Sequence, residues 1–126
     1  MMIWSFIQVA LGGAIGASLR YASVLGAARI FGTGFPIGTL LVNILGSLLM
    51  GFFVVLLDQK GWVSFGPFLT VGVLGGFTTF SAFSLEVFNL FQRGETLALI
   101  SYISLSIVLS VFALVLGIAI GRYLIV

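Results

Sequence analysis

The stretch Gly75-Gly-Phe-Thr-Thr-Phe-Ser-Ala-Phe-Ser-Leu-Glu86 places two adjacent glycines, four hydroxyl side chains, three phenylalanines and a carboxylate in twelve residues. It lies inside a third long apolar stretch, about Trp62 to Phe91. That is longer than the roughly 20 residues one membrane span requires. Gly75-Gly76 is its least helix-stable point, and Thr78-Thr79 can compete for backbone hydrogen bonds. The segment therefore predicts a span whose helix unwinds between about Gly75 and Thr79. Unwound backbone at membrane depth is tolerated only where protein, ion or water satisfies it, and freed carbonyls are ready ligands for a cation.

Working outward, charged and turn residues cut the chain into four spans. The first is expected over about Ile3 to Val24, with Arg20 near its end. A Gly-Thr-Gly-Phe-Pro turn follows, and Pro36 suits the first turn of a second helix over Ile37 to Leu57. Asp58-Gln59-Lys60-Gly61 precedes the third span, and Gln92-Arg93-Gly94-Glu95 follows it. Gly94 reads as a C-terminal cap and Thr96 as the start of a fourth span reaching about Gly121. No stretch alternates as a barrel strand would. The fold class is an all-α integral membrane protein, residues 1–126 forming one four-helix domain with a break in the third helix.

Composition supports lipid as the solvent. The chain is 61% hydrophobic and 6% charged, against roughly a quarter charged in an ordinary soluble domain. No Cys or His is present, which removes disulfides, thiolate chemistry and any imidazole base. Of three carboxylates, Asp58 and Glu95 lie in expected loops, so no paired-carboxylate enzyme is indicated. The five basic residues are scattered, leaving no nucleic-acid footprint. The start lacks the basic region of a signal peptide, so the chain reads as mature from Met1.

Three glycine pairs, Gly12/Gly16, Gly72/Gly76 and Gly117/Gly121, have the spacing of four that lets helix backbones approach closely. The run Gly12 to Gly16 also has the glycines of a dinucleotide loop, but neither the preceding strand nor the following acid. Lys60 and Arg122 fall on one expected side of the membrane, Arg29 and Arg93, with Arg20, on the other. So small a bias predicts insertion in both orientations, and pairing of inverted copies.

Thr39, Asn43 and Ser47 form one helical stripe, and Tyr102, Ser106 and Ser110 another. A lone hydroxyl in a span commonly bonds its own backbone, but the Asn43 amide cannot be satisfied that way. Such stripes suit either a lined path or contacts between helices. Phe80 and Phe83, three apart, share a face of the resumed helix beside Ser81 and Ser84.

Together GGAIGASLRY (Gly12 to Tyr21), GTLLVNILGSLLMGF (Gly38 to Phe52) and GGFTTFSAFSLE make the chain resemble the Fluc/CrcB fluoride channels over essentially its whole length. The resemblance implies a dual-topology antiparallel homodimer in the bacterial inner membrane, with two fluoride pores and a central sodium ion. It implies that Phe80 and Phe83 meet fluoride with their ring edges, and that Asn43 is the pore amide. Tyr102, Ser106 and Ser110 match a polar track, with Thr39 and Ser81 as further positions along it. Gly75 and Thr78 match the residues whose carbonyls hold sodium, and Arg20 the arginine of an anion-gathering vestibule. Glu86 matches a family acid to which no role is carried over. Where the family usually reads TTFSTF this chain reads TTFSAF, so Ala82 removes a hydroxyl and puts the continuity of one track in question. Two other classes are a small multidrug exporter, which needs a first-span glutamate absent here, and a non-conducting structural subunit packed through its glycine faces.

Overall fold

The computed structural model describes residues 2–126; Met1, with which the expected mature chain begins, lies outside them. Among the described residues there is no strand. Four helical segments are long and apolar enough to span a membrane: Met2–Phe31, Ile37–Lys60, Val63–Gln92 and Thr96–Ile125.

Helix α1 (Met2–Phe31) does not stop at Val24 as expected. Ala27, Ala28 and Arg29 are good helix formers, so nothing ends the helix before Gly32, whose φ of 79° takes the left-handed form favoured after a helix C-terminus. Arg20 is consequently well inside the helix rather than near its end. Helix α2 (Ile37–Gln59) begins directly after Pro36, and its end agrees closely with the sequence. The last helix, designated α5 (Thr96–Ile125), runs past Gly121 because Arg122 to Ile125 offer no breaker. Gly94, with φ 71°, caps the preceding helix as expected.

The third span is the irregular one. It opens with a 3₁₀ turn (Val63–Phe65), continues as a π-helix (Pro67–Leu74), and becomes a single α-turn, α3 (Gly75–Phe77). It is interrupted at residues 78–80 and resumes as α4 (Ser81–Gln92). The break thus exists but starts later than expected. Gly75 is helical, with φ −63° and ψ −37°, and the first extended residue is Thr78, with φ −84° and ψ 158°. Packing explains the shift: Gly76 lies on α1, where an added Cβ would be 3.0 Å from the Gly13 carbonyl oxygen. The helical cost of Gly, about 1 kcal/mol relative to Ala, is small beside that contact.

Two pairs of elements form the molecule: α5 packs mainly along α2, and α1 along the first half of the third span. All three glycine pairs sit at these seams. Gly12 and Gly16 face the backbone around Val73, Gly72 and Gly76 face α1 in return, and Gly117 and Gly121 face α2. The first and third loops meet at one end, where Gly32, Thr33 and Arg93 line a common cleft. At the other end the last turn of α2, which takes in Asp58 and Gln59 where a loop is expected, shares a cleft with Arg122 near the C-terminal end. The spans therefore alternate in direction. Only 17 to 22% of the most apolar stretch of each span is buried within the chain, leaving apolar surface for lipid or a second copy.

Candidate functional site

The interruption in the third span is held from α2. Asn43 Oδ1 accepts the backbone N–H of Thr79 at 2.8 Å, and Asn43 Nδ2 donates to the Thr79 carbonyl at 3.0 Å. One amide side chain thus replaces both hydrogen bonds that a residue loses on leaving a helix, which meets the demand that no backbone group be orphaned in lipid. The Thr79 hydroxyl accepts the N–H of Ala82 at 3.1 Å and so caps the start of α4. On the other side of the break, Arg20 Nε donates to the Gly76 carbonyl at 3.0 Å, a favourable place for a cation at a helix C-terminus.

A cleft of about 460 Å³ opens beside the break, between α2, α4 and α5. Asn43, Phe80, Phe83, Ser106 and Ser110 line it, with Gly75 and Thr78 at its edge, and no charged side chain reaches its wall. The Ser106 and Ser110 hydroxyls are buried without a hydrogen-bond partner. Phe80 is 78% exposed, with its ring centroid 5.5 Å from that of Phe83; Phe83 in turn lies 5.2 Å from Tyr102.

A second cleft of about 470 Å³ lies toward the first and third loops. Thr39 and Glu86 line it, together with Asn89 and Arg93. Between the two clefts stands Tyr102, fully buried. Its hydroxyl donates to Glu86 Oε2 at 2.6 Å, and the Thr39 hydroxyl donates to Glu86 Oε1 at 2.8 Å. Phe35 packs edge-on against the Tyr102 ring, centroids 5.6 Å apart, and fixes it from the far side.

The residues singled out in the sequence thus divide. Asn43, Phe80, Phe83, Ser106, Ser110, Gly75 and Thr78 share one cleft; Thr39 belongs to the other, with Tyr102 between. Ser81 and Arg20 line neither cleft: the Ser81 hydroxyl is exposed, 3.4 Å from that of Thr79, and Arg20 is turned to Gly76. Ala82 lines neither cleft. The residue left without a role in the sequence, Glu86, gathers two hydroxyls from two other helices. An isolated acid inside a span was the available signal.

The family described as CrcB-like protein, Camphor Resistance (CrcB), matches residues 7–118. A protein named fluoride-specific ion channel FluC from Ruegeria sp. is 57% identical over 122 residues, covering 96% of this chain and 97% of that one. A protein of the same name from Cereibacter sphaeroides is 52% identical over 121 residues, covering 96% and 97%. Another, from Roseobacter denitrificans, is 53% identical over 120 residues, covering 94% and 95%.

Proposed function

This chain belongs to the CrcB-like family, whose curated relatives are named as ion channels rather than enzymes, and from that premise we propose that it is a fluoride-selective channel. It acts in a bacterial inner membrane, letting fluoride leave the cytoplasm down its electrochemical gradient. The observation that carries this reading is the uncharged cleft where the Asn43 amide, two unpartnered serine hydroxyls and two phenylalanine rings converge.

Fluoride is small and strongly hydrated, so a selective path must replace its water with donors. Hydroxyls and an amide supply neutral hydrogen bonds, and ring edges are the positive part of an aromatic side chain. Conduction needs binding strong enough to enter and weak enough to leave. A row of neutral sites meets both conditions, where a fixed cation in a narrow path would hold the ion.

Two copies in opposite orientations make the working unit, each contributing to two pores. The nearly balanced basic residues support insertion both ways, and the exposed Phe80 ring beside an open cleft supports completion by a second chain. A sodium ion on the dimer axis fits the residues at the break. Because Asn43 takes the Thr79 amide, the Gly75 carbonyl loses the partner a continuous helix would give it, and Thr78 is already extended. The carbonyls of Gly75 and Thr78 from both copies would hold the ion, which supplies positive charge to tie two broken helices together.

Liposomes containing the pure protein are expected to release fluoride quickly and chloride hardly at all, read with ion-selective electrodes. Comparable chloride release would overturn the reading. Replacing sodium with a large organic cation is expected to raise subunit exchange between labelled dimers, by about tenfold for each 1.4 kcal/mol of ion binding lost. Indifference of exchange to sodium would remove the ion from the proposal while leaving the pores.

A further inference from the structure

Glu86 is the carboxylate farthest from any loop, and the channel reading gives it no task. It has no basic partner: among the described residues the only salt bridge joins Arg93 and Glu95 at 3.4 Å. Its charge is instead met by the hydroxyls of Thr39 and Tyr102, one on each oxygen, at 2.8 and 2.6 Å. The shorter distance is at the tight end of the O–H···O range. Two hydroxyls converging on one carboxylate from separate helices form a prepared anion pocket, with the anion supplied by the chain itself.

We propose that the Thr39–Tyr102 hydroxyl pair is an anion-binding site and that the Glu86 carboxylate is its tethered occupant, which fluoride displaces in passing between the two clefts. The position of the pair supports this. Thr39 and Glu86 line one cleft, Phe83 and Ser106 line the other, and the buried Tyr102 ring separates them. The stripe on α5 supports it too. Ser110 and Ser106 offer free hydroxyls, whereas the next donor along, Tyr102, is already committed. An anion advancing along α5 therefore meets two open donors and then an occupied one. The carboxylate also has somewhere to go, since Glu86 faces a cleft of about 470 Å³ at the end of the span.

In the exchange Thr39 and Tyr102 keep their protons; only the acceptor changes, from carboxylate oxygen to fluoride. Selectivity follows from that competition. Fluoride concentrates its charge on a small radius and rivals a carboxylate as an acceptor. Chloride spreads the same charge over a larger sphere and gains too little from the hydroxyls to evict Glu86. Specificity then arises partly from an incumbent that the wrong ion cannot remove. The inference rests on the channel reading for the passage of ions, though not for the anion site.

Full-length Glu86→Ala, in liposomes, is expected to show a chloride-to-fluoride flux ratio raised about tenfold or more. Fluoride flux retained with the wild-type ratio would overturn the proposal. Bromide-soaked crystals read the site directly by anomalous scattering, independent of flux. Bromide within hydrogen-bond reach of Thr39 and Tyr102 is expected in Glu86→Ala, absent from the wild type, and absent from Glu86→Ala combined with Tyr102→Phe. A site without bromide in Glu86→Ala overturns the proposal whatever the fluxes. If Glu86→Ala does not fold, Glu86→Gln takes its place, its neutral amide being the weaker occupant. A wild type that passes no fluoride would sink the channel reading, and the bromide result would still decide the anion site.

Discussion

Liposomes carrying Phe83→Ile are expected to release fluoride about thirtyfold more slowly than the wild type, with the dimer intact. The Phe83 ring stands between Phe80 and Tyr102, at 5.5 and 5.2 Å, where the proposed path leaves the uncharged cleft for the Glu86 node. Isoleucine retains most of the bulk and loses the electropositive edge. A desolvated contact between an ion and an aromatic quadrupole is worth about 2 kcal/mol in the well-characterised cation case, and the edge-on anion case has the same origin. Loss of about 2 kcal/mol from a site on the path corresponds to the stated factor. The packing cost of the swap, about 1 kcal/mol, is too small to unfold the protein. Phe80→Ile is expected to act in the same direction, because Phe80 lines the same cleft. Full wild-type flux in both variants would reduce the two rings to packing.

A larger effect on folding is expected from Gly117→Leu. A Cβ at Gly117 would fall on the Leu48 carbonyl oxygen of α2, and a Cβ at Gly51 would fall on the Leu114 carbonyl oxygen of α5. The seam is closed by backbone on both sides, so no rotamer change can make room. Overpacking typically costs 1 to 3 kcal/mol, and with two rigid backbones in contact about 3 kcal/mol or more is expected. Widening this seam would also draw the Tyr102 side of α5 away from Thr39 on α2, spoiling the Glu86 node. The variant should be lost to aggregation in detergent, scored by size-exclusion profile and melting temperature. Gly26→Ala is the control: nothing lies within 4 Å of its added Cβ, and helix propensity alone should stabilise it by about 0.8 kcal/mol. A monodisperse Gly117→Leu protein with unchanged melting would mean that the α2–α5 seam is looser than it stands.

The four spans, the Gly94 cap and the glycine seams could be read from the sequence because each rests on local chemistry: apolar runs, a residue permitted positive φ, and spacing by four. What could not be read depends on distant partners. The break is expected from Gly75-Gly76, yet both stay helical, Gly76 packed on α1, and the chain opens where Asn43, 36 residues away, can take over the bonds of Thr79. Helix α1 outruns the expected end at Val24, and Arg20 is accommodated mid-helix by the Gly76 carbonyl, a partner 56 residues away. The π-helix of Pro67–Leu74 has no signature in its residues; its shape belongs to the seam it fills beside Gly12 and Gly16. Glu86 was visible as an acid in an apolar span, but its two hydroxyl partners come from other helices, and no local pattern connects them.

The clamp between Asn43 and Thr79 reaches beyond holding a helix open. A free carboxamide is ambivalent, able to turn either a lone pair or a hydrogen toward its surroundings. Here the oxygen is tied to one backbone hydrogen and the nitrogen to one backbone oxygen, so the group cannot rotate without breaking both bonds. One Nδ2 hydrogen and one Oδ1 lone pair are left over, and Asn43 lines the cleft. The unused hydrogen is thereby held in one orientation, so the cost of ordering that donor is met by the fold before any solute arrives.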